Sequence, residues 1–184
     1  GTECNDSRLV NKDGHISVIG DPTEAALKVS AAKSGRPGTA NRIAVIPFDS
    51  EKMFMATLDD MPDGRRFIHF KGAPEQVLEH CSSMNLGESE VPLQTDEILD
   101  AAHGMAKDAL RVLGMVSKEV GKEVEEISVD DMTGFCFYGL QGMMDPPRKE
   151  AITAVEQCRQ AGIRTVMITG DHLATAEAIA RNMG

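Results

Sequence analysis

The sequence predicts an α+β fold, in which an antiparallel sheet flanked by helices is followed by a shorter, incomplete α/β segment. Three β-rich runs, 42–48, 53–58 and 66–71, follow one another, with a turn-rich loop between the last two. This is the pattern of an antiparallel meander. Near the end of the chain, the apolar run 166–168 stands between two helical patterns, as a buried parallel strand does. One short strand with two helices cannot bury a core, so we expect this segment to belong to a larger unit.

Composition and charge narrow the class of protein and of partner. The chain has 184 residues and a net charge of −10, with an isoelectric point near 4.9. This acidic balance argues against nucleic acid as a partner. No apolar stretch is long enough to cross a bilayer, so we expect this chain itself to stay out of the membrane. Neither a metal site nor a disulfide framework is expected, because no C-x-x-C spacing occurs among Cys4, Cys81, Cys136 and Cys158.

The first half of the chain has one well-marked helix. Residues 1–19 are polar, with turn residues at 11–14. Asp21 can cap a helix, Pro22 suits its first position, and Glu24 stands where a capping box places an acidic residue. We expect this helix to reach residue 33, ahead of the first strand.

More elements follow the three strands. Pro74 begins a short helix predicted to about residue 81, and a polar loop is expected at 82–94. Thr95 can cap a helix that continues to about residue 110. Two further strands, 112–116 and 135–140, are separated by an acidic loop.

A boundary is predicted at Asp145-Pro146-Pro147, because two adjacent prolines cannot continue a central strand. Beyond it, Ala151, Val155 and Cys158 are spaced as on one face of a helix. The remaining chain therefore predicts a helix from Arg148, the short strand 166–168 and a last helix to 183.

The first candidate for binding is Thr169-Gly170-Asp171, which follows the predicted strand 166–168. α/β proteins bind phosphate at the carboxyl end of such a strand, because the next helix presents free backbone N–H groups. The same residues also fit an ordinary turn in which the aspartate caps the helix. A phosphate site and a plain turn both stay open on this motif alone.

A second candidate is Lys71-Gly72, at the end of a predicted strand and just before the short helix at Pro74. A lysine, a glycine that permits close approach and a helix N-terminus together favour a phosphate or nucleotide. The alternative is a solvated lysine beside a routine turn.

Phe48 is the third candidate, in a chain with only 4% aromatic residues. It ends a predicted strand, where its ring could stack on a base, although packing in the core explains it as well.

Glu24 and Arg111 complete the set. The carboxylate of Glu24 could accept a hydrogen bond from an adenine amino group, but a capping box needs no such role. Arg111 stands at a helix-to-strand junction, where it could reach a phosphate or stay exposed.

Taken in order, six segments closely resemble the cytoplasmic nucleotide-binding region of cation-transporting P-type ATPases, nearest to the calcium-, sodium- or proton-pump branch. The resemblance covers nearly the whole chain. It implies a nucleotide-binding (N) domain at 1–142 and an incomplete phosphorylation (P) domain, with a haloacid-dehalogenase-like fold, at 143–184. The segments are 20–27, 47–51, 71–75, 110–113, 144–148 and 167–171.

The resemblance implies a role for each N-domain candidate. Phe48 would stack on adenine and Glu24 would contact the adenine edge. Lys71 and Gly72 would line the floor of the pocket. Arg111 would lie over the nucleotide phosphates and help to draw the N domain onto the P domain.

The resemblance also implies a hinge between the two domains and a set of P-domain residues. The hinge would be formed by Asp145, Pro146, Pro147 and Arg148, and Thr169, Gly170 and Asp171 would lie near the transferred phosphoryl group. The implied ligands are ATP and, in the full-length pump, Mg²⁺. The implied partners are the P domain, the actuator domain and the transmembrane helices of the same polypeptide, which would place this region on the cytoplasmic side of a membrane.

Two motifs of the family, and the lysine that the family carries further along the chain, are absent from this sequence. One is Asp-Lys-Thr-Gly, whose aspartate accepts the phosphoryl group, and the other is the magnesium motif Gly-Asp-Gly-x-Asn-Asp. We therefore expect no catalytic residue in this chain, which would bind ATP without turning it over. Two other classes stay open: a stand-alone, non-catalytic nucleotide sensor and a fragment of a haloacid-dehalogenase-type phosphatase.

One position departs from the family inside the best-matching region. Family members commonly carry a lysine five residues after the stacking phenylalanine, where this chain has Met53 and places Lys52 one residue earlier. Neighbours on a regular strand point to opposite faces. We therefore expect Met53 to face the nucleotide phosphates and Lys52 to face away, which would weaken the grip on the phosphates. A bulge would restore Lys52 to the phosphates, but nothing at 49–51 demands one.

Overall fold

The computed structural model describes residues 1–12, 15–35, 38–87, 89–144, 147–168 and 173–184. These residues form two compact units, one made of 1–96 with 113–141 and the other of 97–112 with 142–184. The predicted domain division between residues 142 and 143 stays a prediction. In chain order the strands and helices are β1 (Arg8–Lys12), β2 (His15–Ile19), α1 (Pro22–Lys33), β3 (Asn41–Asp49), β4 (Phe54–Asp60), β5 (Arg66–Gly72), α2 (Pro74–Leu78), β6 (Cys81–Leu86), β7 (Ser89–Pro92), α3 (Thr95–Lys107), β8 (Arg111–Val120), β9 (Phe135–Met143), α4 (Lys149–Gln160) and α5 (Leu173–Met183).

The predicted meander is confirmed. β3, β4 and β5 pair antiparallel in that order, and the β4–β5 register runs from Phe54 opposite Gly72 to Asp60 opposite Arg66. They form one end of a seven-stranded sheet ordered β3-β4-β5-β8-β9-β6-β7. The described residues combine this sheet with α-helices, and the predicted α+β class is confirmed.

The polar loop expected at 82–94 is wrong, because most of it forms two strands. β6 pairs antiparallel with β7 and parallel with β9, where Met84 lies opposite Phe137. The sheet is therefore mixed rather than purely antiparallel. The residues of β6, Cys-Ser-Ser-Met-Asn-Leu, lack the apolar alternation of a strand, so the pairing with β9 decides their conformation.

Other boundaries differ from the sequence pattern at their ends. The polar start of the chain contains a two-stranded antiparallel hairpin, β1 with β2, which the sequence analysis did not predict. α3 ends at Lys107 rather than near residue 110, and Ala109 adopts a left-handed conformation with a φ of 59°. β8 is longer than predicted because it pairs with β5 from Gly114 to Val120, beyond the predicted end at residue 116.

One face of β4 and β5 forms an aromatic core. The rings of Phe54 and Phe70 meet edge to face with centroids 4.8 Å apart, and Phe70 lies 5.4 Å from both Phe135 and His80. Such edge-to-face pairs stabilise a core beyond the burial of their area.

The opposite face of the same strands carries polar groups. Side chains alternate along a strand, so Met55, Thr57, His69 and Lys71 share this face. The thiol of Cys4 covers part of it and donates a hydrogen bond to the carbonyl of Met55 over 3.4 Å. The first residues of the chain therefore pack on the sheet beside Lys71.

In the second unit, the predicted helices at both ends of 148–183 are confirmed as α4 and α5, and Arg148 is the N-cap residue of α4. The strand predicted at 166–168 is wrong: this segment has no regular secondary structure, and Val166 and Ile168 are 73% and 94% exposed. A strand needs a neighbour to satisfy its backbone, and none of the described residues pairs with it.

Candidate functional site

Two of the predicted site residues, 47 positions apart, form a buried ion pair. The Nζ atom of Lys71 lies 2.5 Å from Oε1 of Glu24, and their side chains are only 7% and 15% exposed. Lys71 is the residue before the last of β5, which ends at Gly72, and Glu24 lies in the first turn of α1. The solvated lysine of the alternative interpretation is therefore not what the structure contains.

The other oxygen of Glu24 is held by backbone. Its Oε2 atom accepts hydrogen bonds from the N–H groups of Asp6 and Ser7, over 2.9 and 3.1 Å. Asp21 is the predicted N-cap residue, and its carboxylate accepts from the N–H groups of Thr23 and Glu24 at 2.8 and 3.2 Å. The cap is thus confirmed, and the carboxylate of Glu24 is used for contacts that join α1 to the start of the chain and to β5.

A polar turn at 5–7, in which Asn5 and Ser7 are buried, holds this carboxylate, and no sequence pattern predicted it. The side-chain amide of Asn5, itself 4% exposed, donates to the carbonyl of Glu24 over 2.7 Å. Its Oδ1 atom accepts from the N–H and the hydroxyl of Ser7, at 3.0 and 2.8 Å. The available signal was the run Asn-Asp-Ser, whose short polar side chains satisfy turn backbones.

Gly72 permits a close approach by the β3–β4 hairpin. A Cβ atom built on it would lie 2.7 Å from the carbonyl oxygen of Met53 and 2.8 Å from Cβ of Phe54. That same carbonyl accepts a hydrogen bond from the N–H of Ala73 over 3.1 Å. The turn after Lys71 is therefore fastened to the loop that follows Phe48.

Phe48 is 64% exposed near the end of β3. The alternative of core packing therefore does not describe it, since most of the ring is open to contact. Beside it, the carboxylate of Asp49 accepts from the N–H groups of Glu51 and Lys52 over 2.7 and 3.2 Å. These bonds lower the pKa of Asp49 below its usual value, the Glu51 bond most of all, and they fix the loop.

The expectation that Lys52 and Met53 point to opposite faces of a strand is wrong. β4 begins only at Phe54, and both residues lie in the turn before it. Met53 has a left-handed backbone with a φ of 57° and donates its N–H to the carbonyl of Asp49 over 2.7 Å. Because the Asp49 side chain and carbonyl together close this turn, strand alternation does not apply to it.

Of the remaining predicted residues, three belong to the second unit and the others lie outside the described residues. Arg111 is exposed at the first position of β8, in the second unit. Pro147 and Arg148 precede α4, Pro147 partly buried and Arg148 exposed. The others, Asp145, Pro146, Thr169, Gly170 and Asp171, lie outside the described residues.

Burial also shifts the titratable groups on the Lys71 face of the sheet. Burial raises the pKa of the Cys4 thiol to about 11 and lowers the pKa of His69 to about 4. The Nδ1 atom of His69 lies 3.2 Å from the hydroxyl of Ser117, while its Nε2 atom is buried without a partner. A reactive thiolate and a charged imidazole are thus both disfavoured here at neutral pH. Among the described residues, no group of three or more potential metal-ligating side chains converges.

A cleft of about 610 Å³ lies at the other end of β3. Arg42 lines it, ion-pairs with Asp6 and lies 3.9 Å from the buried carboxylate of Asp59. Burial raises the pKa of Asp59, against the hydrogen bond from Thr57. Arg42 is six residues from Phe48 along an extended strand, about 20 Å away, so this cleft is separate from the loop beside Phe48. Asn5, Asp6 and Ser7 of the turn at 5–7 also line the cleft.

None of the described helices is long and apolar enough to cross a membrane.

Comparison with known proteins gives matches along the whole chain. Residues 1–150 match the family described as P-type ATPase, cytoplasmic domain N, and residues 118–184 match the haloacid dehalogenase-like hydrolases. Because the first match covers most of the chain, it establishes the family to which the chain belongs.

Individual relatives agree with the family match. The chain is 47% identical over its whole length to a protein of Synechocystis named cation-transporting ATPase pma1. It is 35% identical, over 98% of its length, to calcium-transporting ATPase 1 of Lactococcus lactis, and 36% identical over its whole length to a calcium-transporting ATPase of Bacillus subtilis. It spans about a fifth of each relative, 21%, 21% and 22%. The chain therefore belongs to the P-type ATPase family, as part of its cytoplasmic region that contains domain N.

Proposed function

We propose that this chain is the ATP-binding part of a membrane cation pump, in which the γ-phosphate of ATP passes to an aspartate outside this sequence and drives ion transport. The observation that carries the proposal is the joining of two segments. Lys71, which pairs with Glu24 in a buried position, is followed directly by the Gly72–Ala73 turn. The N–H of Ala73 donates a hydrogen bond to the carbonyl of Met53, in the loop that follows the exposed Phe48.

The base would be held by two kinds of contact. The open ring of Phe48 suits stacking on a purine, which any base face permits. The carboxylate of Glu24 suits the exocyclic amino group of adenine, because a carboxylate only accepts hydrogen bonds. Lys71 beside it balances the charge that would otherwise be buried alone.

The phosphates would extend toward the phosphorylation domain. Arg111 would lie over them, and Thr169, Gly170 and Asp171 would approach the transferred phosphoryl group once the domains close about the hinge at 145–148. Mg²⁺ would be bound chiefly by the phosphates themselves. Phosphoryl transfer depends on alignment and charge neutralisation, so this chain would contribute alignment.

The isolated chain would not turn ATP over, since its sequence has no Asp-Lys-Thr-Gly motif to supply the acceptor. Its partners would be the rest of the same polypeptide, namely the P domain, the actuator domain and the transmembrane helices. The region would lie on the cytoplasmic side of the membrane.

The first prediction tests the base contact. Calorimetric titration of the 184-residue chain with ATP should show weak binding, and Phe48→Ala should lose about 1–3 kcal/mol through lost stacking. Tyr138 is a matched control, because it is 56% exposed and, on β9, belongs to another part of the sheet. Tyr138→Ala should leave ATP binding unchanged. Equal losses in both variants, or sustained release of phosphate by the wild-type chain, would contradict the proposal.

A further inference from the structure

The carboxylate of Glu24 has one hydrogen-bonding position left. A carboxylate offers about four lone-pair positions. Two on Oε2 are taken by the N–H groups of Asp6 and Ser7, and one on Oε1 by Lys71. All three neighbours are donors, so what the carboxylate presents to a ligand is a single, directed acceptor.

The turn at 5–7 fixes the direction of that acceptor. Asn5 holds the turn closed through Ser7 and, with its amide, holds the backbone carbonyl of Glu24. The same turn therefore holds both the main chain and the side chain of Glu24. Three of its bonds have normal lengths of 2.7 to 2.9 Å, and Ser7 is fully buried.

A second contact holds the turn from the side of α1. Gly20 precedes the N-cap residue with a φ of 114°, and a Cβ atom on it would lie 2.9 Å from Cα of Ser7. Only glycine accepts this backbone and this approach. The turn is thus held beside the start of α1 by two contacts, the close approach of Gly20 to Ser7 and the hydrogen bond from Asn5 to Glu24.

We infer that the turn at 5–7, organised by Asn5, is a positioning element that gives the nucleotide site its preference for a 6-amino purine over a 6-oxo purine. The inference rests on the proposed function, in which Glu24 faces the edge of adenine. Asn5 itself does not touch the nucleotide. It keeps the free lone pair of Glu24 aimed at the base.

The chemistry of position 6 makes the preference measurable. Adenine carries an N–H donor there, while hypoxanthine, of nearly the same size, carries an oxygen acceptor. A fixed carboxylate bonds the first and faces the second with two acceptors in opposition, which leaves both unpaired. A carboxylate free to turn away loses this discrimination.

The test measures the dissociation constants of ATP and of ITP by titration of the full 184-residue chain. The wild type should bind ATP about tenfold more tightly than ITP, the worth of one charge-assisted hydrogen bond. Asn5→Ala should bring that ratio close to one by weakening ATP, while ITP stays within about twofold. Phe48→Ala should weaken both nucleotides and keep the ratio.

Ser83→Ala is the control for lost stability, since Ser83 is a buried polar residue of β6 that bonds to Glu90. It should leave the ratio unchanged. If the wild type binds both nucleotides equally, or if Asn5→Ala keeps the ratio, the inference is overturned and ATP binding stands. If the wild type binds neither nucleotide, the proposed function fails, and the inference with it.

A measurement on the wild type covers the case in which Asn5→Ala does not fold. Saturation with ATP should shift the amide resonances of Asp6 and Ser7 in NMR spectra, because the carboxylate that accepts from them at Oε2 gains a bond from the base at Oε1. ITP should shift them less than half as far. Amide resonances that respond equally to ATP and ITP, or to neither, would overturn the inference.

Discussion

Breaking the Glu24–Lys71 pair from the lysine side should be among the costlier single substitutions on this face of the sheet. In Lys71→Met the side chain keeps a similar length and loses its charge. The carboxylate left behind is only 15% exposed. Removing one partner of a buried pair costs about 3–5 kcal/mol. Because Glu24 keeps two backbone N–H donors, we expect the lower part of that range, about 3–4 kcal/mol.

The assay is urea unfolding followed by circular dichroism, with Lys122→Met as the matched control. The ammonium of Lys122 pairs with Asp60 over 2.6 Å, but its side chain is 54% exposed and Asp60 keeps a second partner in Arg66. The control should therefore cost no more than about 1 kcal/mol. A loss in Lys71→Met no larger than in Lys122→Met would refute the reasoning that burial makes this pair matter.

A double-mutant cycle with Glu24→Gln adds a direct measure of the pair. Its coupling free energy should be about 1–3 kcal/mol, as for contacting residues in one network. Additive losses would show that the two side chains contribute independently.

Three further predictions concern other parts of the chain. Burial lowers the pKa of His69 from 6.5 to about 4, so on acidification the unfolded chain binds a proton before the folded chain does. The free energy of unfolding should therefore be full above pH 6.5 and fall by about 3 kcal/mol toward pH 4. His69→Leu should reduce this pH dependence in urea titrations at each pH. Met53→Gly should raise the free energy of unfolding by about 0.5 kcal/mol, because relief of the left-handed backbone outweighs the added chain entropy; a loss in thermal unfolding would contradict this. Hydrogen exchange should be faster in 147–168 and 173–184 than in 42–71, because too few strands are present there to bury the helices; equal protection would count against this.

The parts of the fold set by neighbouring residues were predictable. Asp21-Pro22 begins α1 because the cap and the proline act within one turn, and the meander follows from β-rich runs separated by turn residues. β6 was missed because its polar sequence has no strand period, and its partner β9 begins at residue 135, far along the chain.

In the candidate site too, the features set by neighbouring residues were predictable and the contacts between distant residues were not. Local sequence indicated Lys71, Gly72 and Phe48 as candidates, but it could not pair Lys71 with Glu24 across 47 residues. It also gave Asn5 no role, because the partners of Asn5 include Glu24, far outside its own turn. The error at Met53 came from applying strand alternation to a residue that the Asp49 turn places in a loop.

The most direct test of the central claim is an isotope-filtered NOE experiment on the chain saturated with ATP, observing contacts between the base and the protein. Our account predicts NOEs from the ring protons of Phe48 to the adenine protons, together with shifts of the Gly72 amide. NOEs from the adenine protons to the cleft at Arg42 with none to Phe48, or no binding at millimolar ATP, would contradict it.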